Sequence, residues 1–190
     1  MKYILAVIVL FSGVAAPFVS YLSEKKDQIV IAAPALDETL SKCIKSGLEL
    51  RYVFSIAACR KRSFWLDNCK DERKHISKLS YDPISRSYSV NIDLLGDGKE
   101  PLNISLTDES ESLAAITKTS PLSIGFIAHG KPEFLSGSSA YLDVRVLGEC
   151  RSIGVSGEGS AGEILSLGLF DDASYDSGHV EFLLSHTHSK

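Results

Sequence analysis

The sequence predicts an α+β fold, a mostly antiparallel β-sheet or sandwich covered by two short helices. Several segments alternate apolar and polar residues with the period of two that is typical of β-strands. Two short stretches instead repeat apolar residues at intervals of three and four, the period of a helix. Turn residues rather than long crossover segments join the alternating segments, and this favours antiparallel pairing. With 190 residues, of which 44% are hydrophobic, the chain is long enough for one globular domain.

The first predicted helix lies in "PALDETLSKCIKSG", where Leu40, Cys43 and Ile44 share one helical face. Gly47 is placed to end this helix in the left-handed conformation. The segment that follows, "LELRYVFSIAAC", alternates apolar and polar residues from Leu48 to Cys59. We therefore expect a short helix and a half-buried strand that share one core.

A hairpin and a second helix follow. In "KLSYDPISRSYSVNIDLL", two alternating segments flank a turn at Asp82–Pro83. "NISL" predicts a short strand, and "TDESESLAAITKTSP" a helix whose Asp108 and Glu111 have the spacing of a capping box. The segments "PLSIGFIA" and "AYLDVRVLG" predict two more strands, the second with Leu142, Val144 and Val146 inward.

The ends of the chain differ in composition from the middle. Residues 1–22 carry Lys2 and then an uncharged apolar run, which is typical of a signal peptide or an N-terminal membrane anchor. Gly13 and Ala15 would serve as the small residues before a cut after Ala15. Residues 28–150 then form the predicted single domain, and residues 151–190 a Gly/Ser loop with an acidic, His-containing C-terminal tail. We expect an exported protein of the periplasm or cell envelope.

The four cysteines are disulfide candidates, because export leads to an oxidising compartment. The sequence also lacks the C-x-x-C pair that is typical of a zinc site. The pairing of Cys59 with Cys69 is favoured if the chain turns at residues 61–64, since both would then lie on neighbouring strands. The other pairings, which involve Cys43 and Cys150, and free thiols stay open.

The charge pattern argues against a nucleic-acid partner, since the net charge is −4 and DNA-binding domains are usually basic. Basic residues nevertheless outnumber acidic ones in residues 51–86. His75 lies among these basic residues, so we expect it on a solvated face. We expect the basic hairpin to bind a partner, an envelope protein or an anionic membrane surface, through Arg60, Arg62, Lys70, Arg73, Lys74 and Lys78.

The hypothesis of an enzyme depends on fewer residues. Asp67 is a candidate acid of a hydrolase, and His186, His188 and Asp176 in the tail are candidate metal ligands. The alternative interpretation of the tail is a polar, loosely held terminus. "GEGSAG" at residues 157–162 has the glycine spacing of a nucleotide loop, but it lacks the βαβ context that such a loop requires. We therefore expect no cofactor. A non-catalytic binding or accessory module is the leading hypothesis, and a metal-dependent or acid/base hydrolase is the alternative.

Four segments together resemble a known family. "SGLELRYVFSI", "FWLD", "LSYDPISRSYSV" and "TDESESLAAI" arrive in an order that resembles the bacterial domain of unknown function 4390, over roughly residues 30–147. Members of that family are small exported proteins. The resemblance implies the α+β fold and export, and it supplies no reaction.

Overall fold

The computed structural model describes residues 17–21, 28–33, 38–63, 66–96, 98, 100–135, 139–151 and 174–183. In chain order its strands are β1 (Phe18–Tyr21), β2 (Gln28–Ala32), β3 (Glu49–Arg60), β4 (Asn68–Cys69), β5 (Arg73–Asp82), β6 (Ser87–Leu95), β7 (Leu102–Leu106), β8 (Leu122–Ser123), β9 (Ala140–Arg151), β10 (Ser174–Asp176) and β11 (Val180–Leu183). Its helices are α1 (Glu38–Lys45), α2 (Glu109–Ile116), α3 (Ile124–Ile127) and a 3-10 helix (Pro132–Leu135). The strands pair antiparallel in two sheets, which confirms the predicted fold class.

The large sheet has β3 and β9 at its centre. They pair along their whole length, from Glu49 opposite Arg151 to Arg60 opposite Ala140. β5, β6 and β7 follow on the far side of β3, and β10 and β11 both pair with the outer edge of β9. One end of the sheet holds the last residues of β3, the first residues of β9, the strand β4 and the last residues of β11. We call it the Arg60 end. The turn of the predicted hairpin, residues 83–86, lies at the opposite end.

One face of the large sheet is buried under the helices and the small sheet, and we call it the covered face. On β3 every second side chain is buried there, as the alternation predicts: Leu50, Tyr52, Phe54, Ile56 and Ala58. Leu142, Val144 and Val146 of β9 join the same core, as predicted. Ile29, Ile44 and Ile116 reach this core from β2, α1 and α2.

Both predicted helices are present with their predicted ends. Gly47 follows α1 with a φ of +74°, a left-handed conformation that glycine adopts without steric cost. At α2 the Asp108 carboxylate accepts a hydrogen bond from the Glu111 backbone N–H at 2.7 Å. This cap satisfies one of the free N–H groups of the first turn.

The prediction of a strand in "PLSIGFIA" is wrong beyond its third residue. The strand β8 ends at Ser123, whose hydroxyl accepts from the Gly125 N–H at 3.1 Å and starts α3. An apolar run of this length fits a strand and a buried helical turn equally well, so periodicity does not separate them.

The small sheet has the order β1-β2-β8. β1 comes from the last residues of the predicted leader, with Phe18 opposite Ala32 and Tyr21 opposite Ile29. Residues 1–16 lie outside the described part of the chain, so the leader itself stays a prediction. No helix among the described residues is long and apolar enough to cross a membrane.

Two disulfides join all four cysteines. Cys59 pairs with Cys69, as favoured from the sequence, and Cys43 with Cys150. The first links β3 to β4 at the Arg60 end, where the two residues face each other in register. The second links α1 to β9 across 107 residues. The prediction of disulfides is confirmed.

Two parts of the predicted tail are strands rather than a loose terminus. β10 and β11 pair with β9, and the side chains of Tyr175 and Phe182 pack against the core. Alternation in "VEFL" is too short to predict a strand alone. The segment "GEGSAG" lies outside the described residues.

Candidate functional site

The six basic residues predicted to bind a partner are divided between the two faces of the large sheet. Arg60 ends β3, Lys70 follows β4 and Arg73 begins β5, and all three contact rings of the α3 region on the covered side. Lys74 and Lys78 lie on the opposite face, where they pair with Ser55 and Arg51 of β3. Arg62 lies in the exposed loop between β3 and β4. The hairpin therefore presents its positive charge in two directions.

Two cations share the ring of Phe134 in the 3-10 helix. The Lys70 ammonium lies 4.8 Å from the ring centre, and the Arg60 guanidinium carbon lies 5.6 Å from it. Arg60 also donates to the Glu133 carbonyl oxygen at 3.4 Å. The negative face of an aromatic ring attracts cations, so Phe134 holds two like charges near each other.

Arg73 lies over a second ring, that of Phe126 in α3, at 4.7 Å from the ring centre. Its Nη2 donates to His129 Nδ1 at 3.1 Å, and His129 Nε2 donates to the Asp71 carbonyl oxygen at 2.7 Å. The two ring nitrogens of His129 thus connect Arg73 to the backbone at Asp71. We call Arg60, Lys70, Arg73, Phe126 and Phe134 the basic–aromatic cluster.

The backbone around Arg73 leaves room for its guanidinium. A Cβ at Gly96 would lie 2.3 Å from Arg73 Nη1, so only glycine fits there without moving that side chain. His129 has a φ of +52°, an uncommon conformation for a residue other than glycine. Such outliers persist where the surrounding contacts hold them, as the bonds to Arg73 and Asp71 do here.

Lys70 and Arg73 differ from several other basic residues in how their charges are held. Arg51, Lys61, Arg145 and Arg151 each form an ion pair with a glutamate or an aspartate. Within the described part of the chain, no acidic side chain lies within ion-pair distance of Lys70 or Arg73. Both cations lie over aromatic rings instead.

The prediction that His75 lies on a solvated face is wrong. His75 is fully buried on the covered face, next to the edge of the Phe54 ring. Its Nε2 accepts from the Ser120 backbone N–H at 3.0 Å, and burial lowers its pKa to about 4. Strand alternation places His75 with Ser77 and Leu79 and not with its basic neighbours. Counting back from Leu79 would have given this orientation.

Asp67 fastens the loop between β3 and β4. Its Oδ1 accepts from the Arg62 N–H at 3.3 Å, and its Oδ2 accepts from the Tyr141 hydroxyl at 2.6 Å. The Tyr141 hydrogen bond is the main reason that the pKa of Asp67 is below its ordinary value. A carboxyl group that is ionised and bonded through both oxygens is poorly suited to donate a proton.

Tyr141 connects this loop to the sheet. It is buried, and burial is the main cause that raises its pKa, followed by the bond to Asp67. The Lys61 ammonium lies 5.3 Å from the Tyr141 ring centre and 2.6 Å from a carboxylate oxygen of Glu181 in β11. The loop is thus tied to β9 and β11 as well as to Cys69.

The candidate metal ligands are not brought together by the structure. His186 and His188 lie outside the described residues. Asp176 accepts two hydrogen bonds from Arg145, at 3.0 and 2.6 Å, and these lower its pKa. His179 contacts Asp143 at 2.9 Å. Among the described residues, no group of three possible metal ligands occurs.

A family model matches residues 31–133, and its description is domain of unknown function (DUF4390). The chain belongs to this family. The resemblance seen in the sequence is confirmed, and the family description gives no activity. No curated protein matches the chain, and no solved structure matches it either.

The family match contains most of the basic–aromatic cluster and ends one residue before Phe134. The sequence predicted the cations of the cluster and missed its rings and His129. Phe126 lies in the segment mistaken for a strand, and Phe134 is far from Arg60 in sequence. No local pattern signals a contact such as that between Arg60 and Glu133, which are 73 positions apart.

Proposed function

We propose that the protein is an exported, non-catalytic binding module of the cell envelope that recognises an anionic partner through the basic–aromatic cluster. The observation that carries this proposal is the position of Lys70 and Arg73 over aromatic rings, without an acidic side chain of the described residues in ion-pair range. These two keep their charge for an external group.

Export is supported by the sequence of residues 1–22 and fits the rest of the fold. β1 begins at Phe18, so a cut after Ala15 would leave the whole small sheet in the mature chain. Disulfides between Cys43 and Cys150 and between Cys59 and Cys69 suit an oxidising compartment. A periplasm-active reporter fused after residue 60 should be active, and an inactive reporter would contradict export.

A hydrolase centred on Asp67 or His75 has less support. Both oxygens of Asp67 and the Nε2 atom of His75 are engaged by hydrogen bonds within the fold. His75 is also fully buried, which keeps it from a substrate in solution.

Retention on an anionic matrix tests the binding proposal. Lys70→Glu should elute at clearly lower salt than the wild type, because it removes one cluster charge and adds repulsion. Lys45→Glu is the matched control, since Lys45 is exposed at the end of α1 and the variant has the same net charge. Equal elution of the two variants would mean that net charge, and not the cluster, governs binding.

A further inference from the structure

Exposed leucines lie at the Arg60 end, close to the cluster. Leu66, in the loop between β3 and β4, is 92% exposed, and Leu183, at the end of β11, is 66% exposed. One exposed leucine is ordinary on a protein surface. These two are linked through one residue, because Tyr141 pairs with Leu183 in the sheet and donates to Asp67, the neighbour of Leu66. Two large apolar side chains therefore share one end of the sheet.

Basic side chains surround these leucines. Lys61 and Arg62 precede Leu66 in the loop and are exposed, and Lys70 follows it. Glu181 pairs with Lys61 and Asp67 with Tyr141, so these two carboxylates are already occupied. Exposed apolar side chains near lysine and arginine favour an anionic bilayer surface, where the apolar chains enter the interface and the cations contact the headgroups.

The described residues of the loop are fastened to the sheet. The Cys59–Cys69 disulfide closes its base, and the bonds of Asp67 to Arg62 and Tyr141 fasten its interior. A loop that is already ordered loses little conformational entropy when it binds.

We propose that the Arg60 end docks on an anionic membrane surface, with Leu66 and Leu183 entering the headgroup region and Arg62 and Lys70 contacting lipid phosphates. This inference rests on the proposed function and names its partner as lipid. An acidic protein would use the cations and leave the leucines unused, whereas a bilayer uses both.

The single tryptophan of the chain, Trp65, directly precedes Leu66 in the sequence and serves as the probe. The full chain is mixed with vesicles of phosphatidylglycerol and phosphatidylcholine, or of phosphatidylcholine alone, and the tryptophan emission is followed. We expect a blue shift with the anionic vesicles only. A leader that remains attached would bind both kinds of vesicle, but it would not move Trp65 into lipid.

Matched variants separate the contribution of the leucine from that of the lysine. Leu66→Gln and Lys70→Glu should each weaken binding to the anionic vesicles by about fivefold or more. Ile84→Gln is the control for the first, because Ile84 is 94% exposed in the turn at the opposite end. Lys45→Glu is the control for the second. Both controls should bind like the wild type, and if Leu66→Gln also binds like the wild type the inference is wrong.

A soluble polyglutamate distinguishes this inference from the proposed function. If polyglutamate binds in a Lys70-dependent way and anionic vesicles leave Trp65 emission unchanged, the membrane inference is overturned and the cluster remains an anion site. If neither polyglutamate nor vesicles bind, both proposals fail. An equal blue shift with neutral vesicles would overturn the role given to the basic residues.

Discussion

His75 and Arg73 point to the same side of β5, two residues apart, but they meet different surroundings. His75 lies inside the covered face, is neutral at physiological pH and is bonded to the Ser120 N–H. Arg73 lies at the edge of that face and keeps its charge above the ring of Phe126. The interior of the sheet thus holds a polar group in neutral form, and at the edge of that face an aromatic ring holds the cation of Arg73.

This difference separates stability from binding. Changes in the covered face should alter the free energy of unfolding, and changes of the cluster cations should alter binding to anions. Four features test this division: the two disulfides, the buried histidine, the glycine beside Arg73, and Lys70.

The largest effect is expected from the disulfide of the covered face. Replacement of Cys43 and Cys150 by alanine opens a link across 107 residues and should lower the free energy of unfolding by about 5 kcal/mol. Replacement of Cys59 and Cys69, 10 residues apart, should cost about 3 kcal/mol. Urea unfolding followed by circular dichroism compares the two double variants. A larger loss of stability from the second pair would contradict the expected dependence on the length of chain that each disulfide closes.

The buried histidine should make stability depend on pH. The unfolded chain protonates His75 below its ordinary pKa of 6.5, whereas the folded chain does so only near 4. The free energy of unfolding should therefore fall by about 3 kcal/mol as the pH drops from 6.5 to 4, in addition to the effects of other groups. In His75→Gln, which keeps an acceptor for Ser120, this part of the pH dependence should vanish. The same pH profile in both proteins would show that His75 is not the cause.

Much of the covered face could be predicted from the sequence. Alternation from Leu50 to Ala58 gave the buried side of β3, and the spacing of Asp108 and Glu111 gave the cap of α2. These signals are local, because neighbouring residues decide them. His75 was misplaced because the charges around it were weighed above the alternation that starts at Leu79.

The Arg60 end could be predicted only in part. Its cations are a visible cluster in the sequence, but the rings that hold them come from residues 126 and 134, on the other side of two helices and a hairpin. Contacts at such a separation depend on how the whole chain packs. For the same reason the sequence gave no sign that Gly96 and Arg73 are neighbours.

A pair of glycines tests the placement of Arg73. Gly96 and Gly98 have φ values of +89° and +69°, so Gly96→Ala and Gly98→Ala should each cost about 1 kcal/mol of backbone strain. Only at Gly96 does the new Cβ meet Arg73. The Arg73 side chain can move aside at little cost, so anion binding should weaken in Gly96→Ala alone. Equal binding by the two variants would mean that the position of Arg73 does not matter.

The smallest effect on stability is expected from Lys70, which is half-buried. Lys70→Glu removes one cation–π contact at the surface, so its free energy of unfolding should stay within about 0.5 kcal/mol of the wild type. A loss above about 2 kcal/mol in urea unfolding would show that the cluster is part of the scaffold.

Photo-crosslinking in the cell envelope tests most directly whether the partner binds at the Arg60 end. A photoreactive residue is placed at Lys131, in the turn before the 3-10 helix, or at Ile84, in the turn at the opposite end, and both positions are exposed. The proposed binding surface predicts a crosslinked product from position 131, lost when Lys70→Glu is added, and none from position 84. Crosslinks from position 84 alone, or of equal yield from both, would contradict it.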